Sequence, residues 1–304
     1  MKYFILIIYI IALFLSSPLC ALMLPLCAFE KETITQYSSI KDNANNPPSS
    51  PLRVMTFSKG GIKGDFDRGG MRGFSEGKIA EFQNQVKDKP VAERIVFWAE
   101  QFVGTPYDTD PLGEYVTKKV IVADERIDCM YHVFRTAELA LSNTPAEAQE
   151  KALDLRFHSK GILKDTVITN YDDRFQEGID MILSGKWGKD ITEELGKTID
   201  VEGSKGLGKQ KTLLKDSAIK AAEKLKSGDI IFFIKDPKRR VAGEIVGHMG
   251  IIKKEGYDIY LIHASGKKGE TPTQNQFNKW EVKKVGIVDY LRFMRFIGIK
   301  VTRF

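Results

Sequence analysis

The spacing of apolar positions changes character along the chain, and the changes divide it. Residues 3–15 form an unbroken apolar run behind Met1-Lys2, interrupted at Ser16-Ser17-Pro18 and followed by a second apolar patch over residues 19–29. Periodicity is then lost over residues 30–77. Positions 43–51 are polar and proline-rich, and 59–78 are rich in glycine and charge. Such a stretch has little apolar surface to offset the entropy of ordering, so it reads as a flexible linker. Helical spacing begins near Lys78, with Ile79, Phe82 and Val86 three and four apart. A second helix carries Ile95, Trp98, Ala99, Phe102 and Val103, with Pro90 in its first turn. It stops at Gly104-Thr105-Pro106-Tyr107. Asp128 can cap a third helix whose buried stripe is Met130, Val133, Phe134, Ala137 and Leu141. Residues 145–155 read as another, and 156–225 as mixed, helix-leaning and poor in strand signals.

Beyond Leu225 short β-rich runs take over. Residues 229–235, 247–254, 257–264 and 280–288 read as short strands, 289–296 as a short helix and 298–304 as a closing strand. Helices first and an antiparallel sheet second predict an α+β domain over 78–304, with an insertion at about 145–225.

Composition narrows the picture only in part. The 304 residues are 42% hydrophobic and 28% charged, as in an ordinary globular enzyme. The excess of 46 Lys+Arg over 40 Asp+Glu suits work near polyanions such as cell-wall polymer or anionic lipid. The charge is spread out, with no finger motif or aromatic-basic repeat, which argues against a nucleic-acid reader. The basic, apolar N-terminus reads as a secretory signal peptide, giving an exported protein of the periplasm or cell envelope. Retention as a membrane anchor is the alternative, because the two patches together approach the length of a span. Cys20 and Cys27 each follow a leucine, where a lipidation signal has a small residue, so lipid modification is the lesser reading.

With that segment set aside, Cys129 is the one cysteine left and has no disulfide partner within a copy. At the first turn of a helix, unpaired backbone N–H groups favour its thiolate, while the Asp128 anion opposes it. A buried structural cysteine is the bland alternative. Two histidines lie in strand-like surroundings, Gly247-His248-Met249-Gly250-Ile251 and Leu261-Ile262-His263-Ala264-Ser265. With Glu255-Gly256 as a two-residue hairpin loop, Lys254 faces Tyr257 and His248 sits directly opposite His263. A four-residue loop centred on the same dipeptide keeps that register, and an odd-numbered loop puts the imidazoles on opposite faces. On one face they make a base and an orienting group. His132, one turn beyond Cys129, competes as base but leans back along its own helix; packing or substrate contact suits it better. His158 reads as a surface residue. The spacing matches no closed zinc set, and no metal or other cofactor is called for. Gly203-Ser-Lys-Gly-Leu-Gly208-Lys209-Gln210 nearly spells a P-loop, but Gln210 stands where Ser or Thr must hold magnesium. That stretch reads as a mobile basic surface loop.

Five pieces stand in a telling order: Gly104-Thr105-Pro106-Tyr107, Asp128-Cys129, Gly228-Asp229-Ile230-Ile231, His248-Met249-Gly250-Ile251 and Ile262-His263-Ala264. Over residues 91–304 the chain thereby resembles the NlpC/P60 family of cell-wall hydrolases. The resemblance implies a papain-like core, with the nucleophile helix packed on an antiparallel sheet and a helical insertion. It also implies Cys129 as nucleophile, His248 as general base, His263 as the orienting third member and Tyr107 beside the thiol, shaping the oxyanion region. The Cys129-to-His248 interval is far longer than in a minimal domain, and Met130-Tyr131 replaces the usual Ser-Gly. Together with Trp187-Gly188-Lys189-Asp190-Ile191-Thr192, these departures are similar to the amidase-like DUF1460 branch. That branch implies cleavage of the N-acetylmuramoyl-L-alanine amide of peptidoglycan or its fragments. Asp128, His132, Tyr171, Arg174, Trp187 and Lys189 are then candidate substrate contacts. The alternatives are a γ-D-glutamyl-diamino acid endopeptidase, a thiol acyltransferase acting on lipid, and a non-catalytic wall-binding protein.

Overall fold

A computed structural model of the chain describes residues 73–273 and 279–304. The expected signal segment and most of the linker lie outside the described residues. Four helices of the first half come in chain order: α1 (Glu76–Val86), α2 (Val91–Gln101), the short α3 (Glu114–Thr117) and α4 (Cys129–Ala140). α5 (Pro145–Leu155), β1 (Leu163–Lys164), β2 (Val167–Ile168), α6 (Gly178–Ser184), β3 (Lys189–Asp190), α7 (Thr192–Leu195), β4 (Ile199–Val201), β5 (Gln210–Leu214) and α8 (Lys215–Lys220) follow. The remainder is β6 (Ile230–Ile234), β7 (Val246–Glu255), β8 (Asp258–Ser265), β9 (Glu281–Gly286), α9 (Ile287–Phe293) and β10 (Gly298–Arg303).

The main sheet runs β4-β5-β10-β6-β7-β8-β9, all neighbours antiparallel, with β3 paired to β10. The architecture is α+β. The segment expected to be poor in strands supplies β1 to β5, three of which join the main sheet. Their two- to five-residue lengths carry too little alternation to be read in sequence. β10 is inserted between β5 and β6 rather than lying at an edge. Among the described residues no helix is long and apolar enough to cross a membrane. Among the described residues packing extends to positions before Lys78: Phe74 packs edge-on against Phe82, Trp98 and Phe102.

Each face of the sheet has its own core. One gathers Trp98, Val133, Phe134, Phe232, Met249, Ile251 and Ile262 under α4. The other gathers Phe233, Ile252, Leu261, Ile287, Leu291 and Val301 under α9. The alternation Phe232/Phe233 and Ile251/Ile252 is the strand period sending successive side chains to opposite faces. α4 is held by two ion pairs in its interior: Arg135 to Asp124 at 3.0 Å and Arg156 to Glu138 at 2.5 and 2.7 Å. All four side chains are buried, so removing one partner would strand a charge, costing about 3–5 kcal/mol.

Candidate active site

Asp128 starts α4 in the manner expected of its type. Its backbone is extended and its carboxylate accepts a hydrogen bond from the Tyr131 N–H at 2.7 Å. Cys129 is therefore the first helical residue, and its thiol is free and half-buried. The sulfur lies against β7, where the Met249 backbone N–H is a donor to it. Burial, and secondly the Asp128 carboxylate, push the thiol up to about 12; the Met249 N–H and Lys268 act in the other direction. Lys268 Nζ sits 2.8 Å from Asp128 Oδ2 and 3.6 Å from Asp108 Oδ2, 5.8 Å from the centre of the Tyr107 ring.

The hairpin that carries the histidines differs from the expected one by two residues. Its loop is Gly256-Tyr257, and Glu255 faces Asp258. Gly256 has φ +59°, a conformation that favours glycine at the first loop position. Continued along the strands, this register puts His263 opposite Gly250, so His248 and His263 are diagonal neighbours and not directly opposed. A shift of two preserves the face. The imidazoles meet with His248 Nε2 2.8 Å from His263 Nδ1.

Gly247 is the extra residue of a β-bulge between the pairs Phe233–His248 and Ile234–Val246. A Cβ at Gly247 would collide with the Phe296 ring and the Lys235 side chain. The bulge aims His248 into an aromatic slot: its ring stacks on Phe233 at 5.6 Å and on Phe296 at 6.3 Å, with Tyr290 at 6.1 Å. Burial lowers His248 to about 4 and pulls His263 down as well, so both are neutral at pH 7.

Tyr290, on α9, is the functional candidate that sequence reading missed. Its ring stands edge-on to His263 at 4.9 Å, and its phenol is raised by burial and by its proximity to the Cys129 sulfur. It therefore neighbours both the thiol and the imidazole pair. Tyr107 is also beside the sulfur, and its phenol is raised by burial first and by Cys129 second. Among the described residues no hydrogen bond joins Cys129 to either imidazole. The resting centre is a neutral thiol and a neutral imidazole on neighbouring parts of the fold.

Two of the residues expected to touch substrate, Trp187 and Tyr171, are core residues instead, and of the two roles expected for His132 the structure shows packing. Trp187 is fully buried, 5.0 Å from the Phe134 ring, and donates its indole N–H to Leu155 O at 3.1 Å. His132 is fully buried with Nε2 3.5 Å from Ala99 O and Nδ1 unpaired. Tyr171 is buried and donates its hydroxyl to Val120 O at 3.2 Å. In each case the aromatic ring fills a core position, which residue type alone does not reveal. Arg174 lies over the Tyr171 ring in the bridge to Phe157, and Lys189 pairs with Glu194 at 2.6 Å on the outer surface. Neither is brought to the thiol. Asp128 is at the thiol, ion-paired with Lys268. The P-loop-like stretch is tied down: Lys205 pairs with Glu177, Leu207 packs on the core, and Gln210 begins β5.

No protein-family model matches the sequence, and no curated protein matches it. Solved structures are similar in fold. A DUF1460 protein from Legionella pneumophila superposes with TM-score 0.57 at 17% identity, over 74% of this chain and 93% of that one. An N-acetylmuramoyl-L-alanine amidase from Bacteroides uniformis gives TM-score 0.55 at 18% identity, over 70% of this chain and 98% of that one. A candidate xylanase from Bacteroides fragilis gives 0.53 at 19%, over 68% and 100%. The chain shares their fold across nearly their whole length.

Proposed function

We propose that the protein is an exported cysteine amidase of the NlpC/P60 type, with a papain-like core, that hydrolyses the N-acetylmuramoyl-L-alanine bond of peptidoglycan or its fragments. The observation that carries the reading is the imidazole pair that His248 of β7 makes with His263 of β8, next to the Met249 N–H that reaches the Cys129 sulfur. The fold shared with a protein named as an amidase of this bond supports it.

The chemistry follows from which atoms are occupied. The two nitrogens are 2.8 Å apart, and the mechanism uses the tautomer in which His248 Nε2–H donates to His263 Nδ1, leaving the lone pair of His248 Nδ1 to take the thiol proton. His263 thereby fixes the tautomer, and the slot formed by Phe233, Phe296 and Tyr290 fixes the ring plane. The thiolate attacks the amide carbonyl carbon, and the resulting imidazolium returns its proton to the departing amine. The acyl group stays on sulfur as a thioester, which water then cleaves with His248 again as base. Asp128 takes the Tyr131 N–H, so the Cys129 and Met130 N–H groups at the helix head are the ones left to receive the oxyanion, beside Tyr107. Because no hydrogen bond joins the thiol to His248 among the described residues, the reading requires substrate entry to bring them into proton-transfer distance. Active-site hydrogen bonds commonly tighten at that step.

A glycosidase reading, prompted by the xylanase-named neighbour, needs two carboxyl groups free to act as acid and base. Asp108 and Asp128 are both buried and share Lys268, with Asp108 also holding the Asp110 and Glu114 N–H groups. The thiol centre is the better fit. Incubation with muropeptides followed by mass spectrometry tests the assignment. Release of a peptide beginning with L-alanine is the expected result. A stem split after γ-D-glutamate would make the protein an endopeptidase, and unchanged muropeptides would end the hydrolase reading.

A further inference from the structure

Two carboxylates and one ammonium meet at the head of α4. Lys268 Nζ lies 2.8 Å from Asp128 Oδ2 and 3.6 Å from Asp108 Oδ2. Both acids are held by backbone donors: Asp128 by the Tyr131 N–H, and Asp108 by the Asp110 and Glu114 N–H groups at 2.9 and 2.7 Å. Both are buried. The lysine stem is partly exposed, but its Nζ is shut away from water, so the two ion pairs are what offset the burial of its charge. The loop after β8 places this ammonium by two close contacts on either side of it. At Gly266 the backbone runs flat against Tyr107, where a Cβ would collide with the ring, and the Gly269 N–H donates to Thr109 O at 2.8 Å. The strand that carries His263 thus continues directly into the cation that faces the cap of the nucleophile helix.

An anion is awkward here. Burial opposes a thiolate at Cys129, Asp128 opposes it next, and Glu244, ahead of β7, adds a smaller repulsion although it is paired with Lys235. The phenols of Tyr107, Tyr115 and Tyr290 also feel the sulfur, but burial raises all three and they stay neutral. The imidazole pair is neutral as well. Burial raises Asp108 too, and its N–H donors and Lys268 act against that. Of the cations, Lys268 acts on the sulfur most strongly. Without it the thiolate would form beside two buried carboxylates with no positive charge clamped between them.

We infer that Lys268 is a positioning residue of the thiol centre, whose ammonium, clamped between Asp108 and Asp128, offsets their charge so that Cys129 can become a thiolate. The inference rests on the reading of Cys129 as the nucleophile, and thiol reactivity measures it without any substrate. The bland alternative, a lysine that only braces the loop against α4, gives a different pattern of effects. Lys268→Gln and Asp128→Asn break the same ion pair, so loss of bracing moves thiol reactivity the same way in both. Loss of charge moves it in opposite directions.

The test follows alkylation of Cys129 in the full-length protein by iodoacetamide, an uncharged probe from which the thiolate displaces iodide. The product is read on the Cys129 peptide after digestion, so Cys20 and Cys27 do not contribute. At about pH 8 the thiol is mostly protonated, and a one-unit shift of its pKa reads as about a tenfold change in rate. Lys268→Gln should slow the reaction about tenfold, and Lys268→Arg, which keeps the charge, should stay within about threefold of wild type. Asp128→Asn keeps a good helix cap and drops the opposing anion, so it should speed the reaction by about tenfold. Slowing by both Lys268→Gln and Asp128→Asn would overturn the inference, as would a rate that Lys268→Gln leaves unaltered. Where Lys268→Gln fails to fold, the direction of the Asp128→Asn effect decides. The expected rates in a protein that leaves muropeptides whole would keep the role of Lys268 and sink the amidase reading; cleaved muropeptides with unshifted thiol rates would do the reverse.

Discussion

Two settings for histidine can be compared within this one molecule. His132 lies one helical turn after Cys129, nearest to it in sequence, yet it is sealed among Phe102 and the α2 backbone with one ring nitrogen unpaired. His248 and His263 come from a distant hairpin, bond to each other and stand in an aromatic slot beside Tyr290. Burial depresses all three. Desolvation alone therefore does not mark a catalytic base. What separates the pair is a hydrogen-bond partner for one ring nitrogen with the second left over, and a neighbour, Tyr290, that feels the charge of the thiol.

The sharpest way to break this contrast is to remove the base. His248→Ala should cut kcat for muropeptide hydrolysis about a thousandfold with little change in KM, the usual scale for general-base loss. Turnover within tenfold of wild type would move the role elsewhere, and His132 would become the next candidate. His263→Ala should lower kcat less, about ten- to a hundredfold, because the imidazole remains but its tautomer and plane are no longer fixed. Equal losses from the two variants would mean that the pair acts as one unit rather than as base and orienter.

His132 supplies the opposite test. Its folded value of about 4 lies below the ordinary 6.5, so the unfolded chain binds the extra proton more readily. Its contribution is fully present above pH 6.5 and is lost as pH falls through about 4. In His132→Leu the fall of stability between those pH values should be shallower by about 3 kcal/mol or less, with kcat within about twofold. Urea unfolding across that range measures it. An unchanged pH slope would show that His132 is not buried in neutral form. The smallest effect is expected of Tyr290→Phe, which keeps the ring against His263 and drops the hydroxyl: a few-fold loss of kcat, on the order of one neutral hydrogen bond.

Much of this was legible in the sequence because local rules were decisive. Asp128 is a good cap followed by an apolar stripe, and α4 begins where that pattern says. The alternating runs gave β6 to β9 within a few residues of their true ends. The histidine face was readable because parity survives a two-residue slip, although Gly256 opens the loop and does not close it, so the facing partner was misjudged. Long-range packing was not readable. Trp187 and Tyr171 look like sugar platforms by type and are core residues. Tyr290 stands at the imidazole pair because α9 folds across β8, and Trp280 lies beside Tyr107 because its carbonyl accepts from the Tyr107 N–H. No spacing rule links positions so far apart in the chain.

The claim on which the rest depends is a covalent bond to one sulfur. Wild-type protein mixed with N-acetylmuramoyl-L-alanyl peptide, quenched in acid and digested, should yield the Cys129 peptide carrying the N-acetylmuramoyl group as a thioester, and Cys129→Ala should show neither adduct nor turnover. Full cleavage by Cys129→Ala, with no adduct on wild type, would contradict the account.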